Sequence, residues 1–192
     1  MFKNTKKVFR EFTGYMLAAM IGIASTFAFH PVAAEAMTAL VVPDNTAEMQ
    51  TTGSWAHLYI PDVDINVPLY DVSTQGAEGR QGAVDAANSA ATFMYGKIRI
   101  LCDHNTDGFI NMTKAENGKT MLYIQRGSEI EQYVCVEKGK GTNATNALLD
   151  ANGTKFKERE DIDMVAYTCT ETWVTVHYTC WRKVEPAEKP QK

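Results

Sequence analysis

The stretch Trp173-Val174-Thr175-Val176-His177-Tyr178-Thr179-Cys180-Trp181-Arg182-Lys183-Val184 decides the fold class, because its alternation has a period of two, not 3.6. Its β-branched and aromatic residues suit a pleated surface. Trp173, Thr175, His177, Thr179, Trp181 and Lys183 share one face, and Val174, Val176, Tyr178, Cys180, Arg182 and Val184 share the other. Shorter runs of the same kind precede it at 57–61, 65–70, 97–102, 120–125, 132–137 and 164–168. Asp62-Val63-Asp64 splits the first two, and Pro61 and Pro68 confine them to edge strands or strand ends. Gly127-Ser128 reads as a turn. Helix is sparse: one short helix is expected around Ala83 to Ala90 and a single turn before Gly118. Thr142 to Ala151 has helix-forming Ala-Leu-Leu character, ended by Asn152-Gly153. Many short strands with frequent turns predict a mainly β chain closed into a small barrel or rolled sheet.

Hydrophobic residues make up 45% and charged residues 22% of the 192-residue chain, which is ordinary globular composition and argues against disorder. A net charge of −4, with no basic stripe beyond the N-terminus, gives nucleic acid no electrostatic footing as a partner. Lys3, Lys6, Lys7 and Arg10 precede an apolar run from Tyr15, and Ala34-Glu35-Ala36 fits the small-x-small rule of signal peptidase. Residues 1–36 are therefore read as a signal peptide cleaved after Ala36, with an uncleaved membrane anchor as the alternative. Either way the remainder is expected outside the cytoplasm. Residues 37–54 read as a linker, 55–185 as the folded domain and 186–192 as a tail.

Cys102, Cys135, Cys169 and Cys180 offer no CxxC pair and no zinc spacing, and no carboxylate cluster is specific enough for calcium. No metal or cofactor is expected. Cys169 ends the run Val165-Ala166-Tyr167-Thr168-Cys169, where a strand meets a loop. The strands around that loop are expected to form a hairpin that brings Cys169 and Arg182 onto neighbouring strands. A cation beside a thiol favours the thiolate and can stabilise the oxyanion formed when it attacks a carbonyl. Arg182 is notable because its parity places a guanidinium on a mostly apolar face. The plainer alternative puts it beyond the core, snorkelling to water. A histidine is still needed to move protons. His30 lies in the export segment, His57 opens a strand and His177 faces away from Arg182, whereas His104 follows a buried-looking strand in an accessible polar turn.

These residues bring the chain from about Trp55 to Val184 into resemblance with the bacterial sortases, cysteine transpeptidases of cell-surface proteins. Leu58-Tyr59-Ile60-Pro61-Asp62-Val63-Asp64-Ile65-Asn66-Val67-Pro68-Leu69-Tyr70 resembles the family's opening strand pair. Asp103-His104-Asn105, followed by Gly108-Phe109 and Asn111-Met112, is similar to the segment carrying the family histidine. Thr168-Cys169 is similar to the end of the family's Thr-Leu-x-Thr-Cys motif, and Arg182, thirteen positions on (169 to 182), falls where the family arginine is expected. Val165 and Ala166 stand at the motif's Thr and Leu positions, which bears on substrate preference more than on catalysis.

The resemblance implies a sortase-type eight-stranded β-barrel with one or two short helices and a catalytic set of His104, Cys169 and Arg182. It implies a surface-protein sorting-signal peptide, similar to Leu-Pro-x-Thr-Gly, as acyl donor. An amine such as a peptidoglycan cross-bridge or a pilin lysine is the implied acceptor, and a membrane tether follows if the N-terminal segment is retained. Two alternatives stay open: a secreted cysteine protease that passes the acyl group to water, and an inactive binding domain with Cys169 tied to Cys180 or Cys102.

Overall fold

The computed structural model describes residues 43–144, 147–170, 172 and 174–185, so the expected export segment and tail lie outside the described residues. The strands are β1 (Ala56–Ile60), β2 (Ile65–Asp71), β3 (Ala90–Tyr95), β4 (Ile98–Cys102), β5 (Met121–Arg126), β6 (Glu129–Ala144), β7 (Ala147–Leu149), β8 (Met164–Cys169) and β9 (Thr175–Lys183). Helices α1 (Thr46–Thr52) and α2 (Gly76–Asp85) accompany them. The sheet runs β5-β1-β2-β3-β4-β8-β9-β6, and pairing of β5 with β6 closes it into an eight-stranded mixed barrel, leaving β7 as an added strand on β6. The β2–β3 and β4–β8 pairs are parallel and the others antiparallel.

Two apolar clusters lie on opposite sides of this wall. The barrel interior holds Leu58, Leu69, Phe109, Met112, Leu122 and Trp181, among others, with every one of the eight barrel strands contributing. Outside, α2, β7 and the short turn Phe156–Glu158 cover β4, β8 and β9 with Val84, Leu148 and Phe156. This double cover explains why Met164 to Thr168 is buried without a break: a strand packed on both faces loses its polar alternation. The same holds along β9, where Val176, Tyr178 and Cys180 face the outer cluster while Trp181 fills the barrel. Trp181 is fully buried and donates from Nε1 to Thr179 Oγ1 at 2.9 Å, so its bulk enters the core without orphaning its donor. Truncating it to Ala is expected to cost about 3–5 kcal/mol.

Several local expectations change. Pro68 lies inside β2, which is not an edge strand; pairing with β3 begins only at Leu69, so the missing N–H interrupts no ladder on that side. The short helix is α2 over Gly76–Asp85, upstream of the 83–90 window, and Ala90 opens β3 instead. Thr142 to Ala151 is not helical: Asn143 pairs with Leu148 in the β6–β7 hairpin, and Leu148 is buried against the outer cluster. Three helix-forming residues are too few to nucleate a helix against that burial. The single turn expected before Gly118 is a 3-10 segment over Met112–Lys114 that ends at Ala115, and Gly118 lies in a separate turn. Within the 37–54 stretch, α1 packs on the barrel end through Asn45 Oδ1, which accepts Gly127 N–H at 2.7 Å, and through a Glu48–His57 contact of 3.3 Å.

Candidate active site

Parallel pairing of β4 with β8 sets the site. Cys102 is the register partner of Tyr167, so the residues two positions beyond each, His104 and Cys169, emerge side by side at the carboxyl ends of adjacent strands. Both line one cavity of about 200 Å³, together with Cys102, Tyr167 and the α2 residues Arg80 and Gln81. Cys169 is half-buried and reaches the cavity, whereas Cys102, Cys135 and Cys180 are buried; all four are free thiols. Burial raises the Cys169 pKa, and it pushes the Cys102 thiol up to about 12, so Cys102 stays protonated beside it.

The turn carrying His104 is pinned from three sides. Asp103 N–H donates to Tyr167 C=O at 3.4 Å, extending the β4–β8 ladder by one rung. His104 N–H donates to Asp103 Oδ1 at 2.7 Å, and Phe109 N–H donates back to His104 C=O at 3.3 Å. Phe109 and Met112, fully buried in the barrel, anchor the far side. The ring is oriented from α2: His104 Nε2 lies 2.9 Å from Asp85 Oδ1, which also accepts Gln81 Nε2 at 2.7 Å. A proton on Nε2 directed at that carboxylate leaves Nδ1 as the ring's acceptor. The hydrogen bond from His104 is the largest cause holding the Asp85 carboxyl below its ordinary range.

Asp103 itself is buried, with Oδ2 lacking any partner. Burial pushes its carboxyl up to about 7, against the opposing hydrogen bond from His104 N–H.

Arg182 is not brought to this cavity. The hairpin joining β8 to β9 forms as expected, but its loop spans only 170–174, and Thr170 N–H already donates to Thr175 C=O at 3.0 Å. Cys169 therefore faces Val176, and Arg182 lies six positions further along β9, about 20 Å away at the rise of an antiparallel strand. There it is exposed, donating from Nε and Nη2 to Asp161 C=O at 3.1 and 2.7 Å. The snorkelling alternative is the observed one: Arg182 lies past the covered part of its face.

The arginine that does line the cavity is Arg80, with its guanidinium 4.9 Å over the Phe93 ring. Expecting the helix only from Ala83 hid it, although Ala77, Arg80, Gln81 and Val84 carry the i, i+3, i+4, i+7 spacing of a helical face. Gly76, Gly79 and Gly82 lower the helix propensity of that segment, and docking of Val84 on the outer cluster overrides it. Beyond Arg80 the thiol cavity meets a larger one of about 550 Å³, which shares Arg80, Asn143 and Tyr167 and adds Phe93, Tyr95 and Leu148. Together they bring a thiol and an imidazole beside an aromatic and apolar trough. Among the described residues no group of His, Cys, Asp and Glu is placed to hold a metal ion.

Solved structures with the same architecture are sortases. Sortase E1 from Streptomyces coelicolor, solved with a tripeptide in its active site, superposes with a TM-score of 0.51 at 15% identity, covering 69% of this chain and 88% of that one. Sortase C1 from Streptococcus agalactiae gives 0.50 at 14% identity, covering 70% and 69%. No family model and no curated protein matches the sequence. Among the described residues a closed eight-stranded barrel with one extra strand and two helices gives the chain the sortase fold, at only 14–15% identity to these structures.

Proposed function

We propose that this sortase-fold chain is a cysteine transpeptidase in which Cys169 is the nucleophile and His104 the proton carrier. The observation that carries the reading is the shared cavity: parallel register sets thiol and imidazole at neighbouring strand ends, beside an adjoining aromatic and apolar trough of about 550 Å³. His104 takes the Cys169 proton, and the sulfur attacks the carbonyl carbon of a Thr–Gly-like bond. As the C–S bond forms, the carbonyl oxygen takes the negative charge. When it collapses, the C–N bond breaks and His104 passes its proton to the departing amine. An incoming amine, such as a cell-wall cross-bridge or a pilin lysine, gives up a proton to His104 as it attacks the thioester, and Cys169 returns as leaving group. The raised thiol pKa fits a resting Cys169 that keeps its proton until substrate binds.

The sorting-signal donor and amine acceptor follow from the family likeness, and the basic and apolar N-terminal segment supports a place outside the cytoplasm. Among the described residues no helix is long and apolar enough to cross a membrane. Cys180 lies four positions along β9 from Val176, the register partner of Cys169, too far for a bridge between those two.

The test is mass spectrometry of the protein with a Leu-Pro-x-Thr-Gly peptide library, with and without an added amine. A thioacyl adduct on Cys169 that passes to the amine is expected, with Cys169→Ala and His104→Ala both lacking product. Product formed by Cys169→Ala would refute the reading, and an adduct released only to water would make the chain a hydrolase.

A further inference from the structure

We infer that Arg80, from α2, is the group that receives the negative charge of the acyl carbonyl oxygen at Cys169, the task that the position of Arg182 rules out for that residue. The inference rests on the thiol reading above and concerns a different element of the chain.

Arg80 stands where the two cavities join, lining both the pocket of Cys169 and His104 and the aromatic trough. A peptide bound in the trough with its scissile carbonyl at Cys169 must pass it. Its guanidinium lies 4.9 Å over the Phe93 ring, a contact that occupies none of its N–H donors. Among the described residues no carboxylate or other acceptor pairs with Arg80, whereas Arg99, Arg126 and Arg159 each have an acidic partner. Arg80 is also half-buried, so a charge with free donors points into a concave, partly dry site. Its field is felt there, lowering the pKa of both Cys102 and Tyr167 against the stronger effect of burial.

Arg80 acts on the substrate's oxygen through its guanidinium fork. As Cys169 attacks, the carbonyl π pair moves to oxygen, and the fork donates to that oxygen until the C–N bond breaks and the pair returns. Arg80 supplies no proton in the step.

The experiment needs no knowledge of the natural peptide. Cys169 in the intact protein is alkylated with iodoacetate and, separately, with iodoacetamide, and labelling at that residue is followed by peptide mapping. The two reagents differ in a carboxylate that must lie beside the reacting sulfur, near the place of the substrate's oxygen. A cation there raises the iodoacetate-to-iodoacetamide rate ratio; in Arg80→Gln the ratio is expected to fall about fivefold, the scale of one charge acting across a few ångströms of partly wet surface. Arg80→Lys keeps most of the ratio, and Arg182→Gln leaves it unchanged. An unchanged ratio in Arg80→Gln, with Cys169 still reactive, overturns this inference alone. Failure of Cys169 to react with either reagent overturns the thiol reading, and this inference with it.

Discussion

His104 and Asp85 are joined by a 2.9 Å contact between Nε2 and Oδ1, and it links two elements that share no strand ladder. Asp85 is the last residue of α2, and the same oxygen accepts Gln81 Nε2, so the helix end fixes the carboxylate before the carboxylate fixes the ring. A second tie runs from Asn88 N–H to Asp107 Oδ2 at 3.3 Å, binding the chain after α2 to the histidine turn.

Removing this carboxylate should alter tautomer and rate without altering binding. In Asp85→Ala the ring loses the acceptor that selects Nε2–H, and turnover is expected to fall about three- to fivefold with KM unchanged, the scale of an exposed charge pair. Nitrogen-15 NMR of His104 should then show mixed tautomers where the parent shows one. An unchanged tautomer together with an unchanged rate would reduce the Asp85 contact to a surface pairing.

Arg182→Ala separates sequence spacing from spatial position. The substitution removes two hydrogen bonds to Asp161 C=O and should lower stability by about 1 kcal/mol, measured by urea unfolding. Thioacyl formation at Cys169 should remain within about twofold of the parent, the range of a substitution remote from the reacting atoms. A loss as deep as that of Cys169→Ala would show that Arg182 reaches the site after all.

The fate of Arg182 shows what the sequence could carry. Period-two alternation in 173–184 and the short runs before it contain the barrel, because strand faces are written in neighbouring residues. The placing of Cys169 and His104 at the ends of apolar strands was also legible, although His104 was singled out chiefly by the family resemblance and its place beside Cys169 comes from the parallel β4–β8 register. Distance along a hairpin was not: thirteen residues separate Cys169 from Arg182, and only the length of the loop decides whether they face one another. A five-residue loop sends Arg182 to the far end of β9. The Arg80 helix was obscured by its three glycines, and Ala-Leu-Leu at 147–149 misled because Leu148 is buried against an outer cluster built from residues elsewhere in the chain. Local propensity misjudged these elements because tertiary contacts outweigh it.

Gly108 is expected to be intolerant of any side chain. A Cβ there would lie 2.1 Å from Asp103 Oδ2 and 3.1 Å from Val67 Cγ1, a buried carboxylate and a core methyl group. Gly108→Ala must displace Asp103, and with it the hydrogen bond to His104 N–H. It should lower stability by about 1–3 kcal/mol, the cost of overpacking. The loss should bring a larger fall in alkylation rate at Cys169 than an equally destabilising change at the far end of the barrel. Wild-type stability in Gly108→Ala would mean that the turn relaxes freely.

Asp103 gives the fold a pH dependence with a definite sign. Its carboxyl is raised to about 7 by burial, while an unfolded Asp titrates near 3.9, so the folded state keeps a proton that the unfolded chain has released. That proton contributes stability in full below about pH 4, and the contribution is lost as pH rises through about 7, by an amount on the order of a few kcal/mol. Asp103→Asn retains an oxygen to accept His104 N–H and cannot ionise. Its amide carries its own burial cost, but that cost does not change with pH, so only the slope is informative. Urea unfolding from pH 4 to pH 8 should show the variant gaining on the parent steadily through the window and levelling off above it. Other titrating groups cancel in the difference. A difference that stays flat across the window would place the Asp103 carboxyl in its ordinary range, and its unpartnered Oδ2 within reach of water.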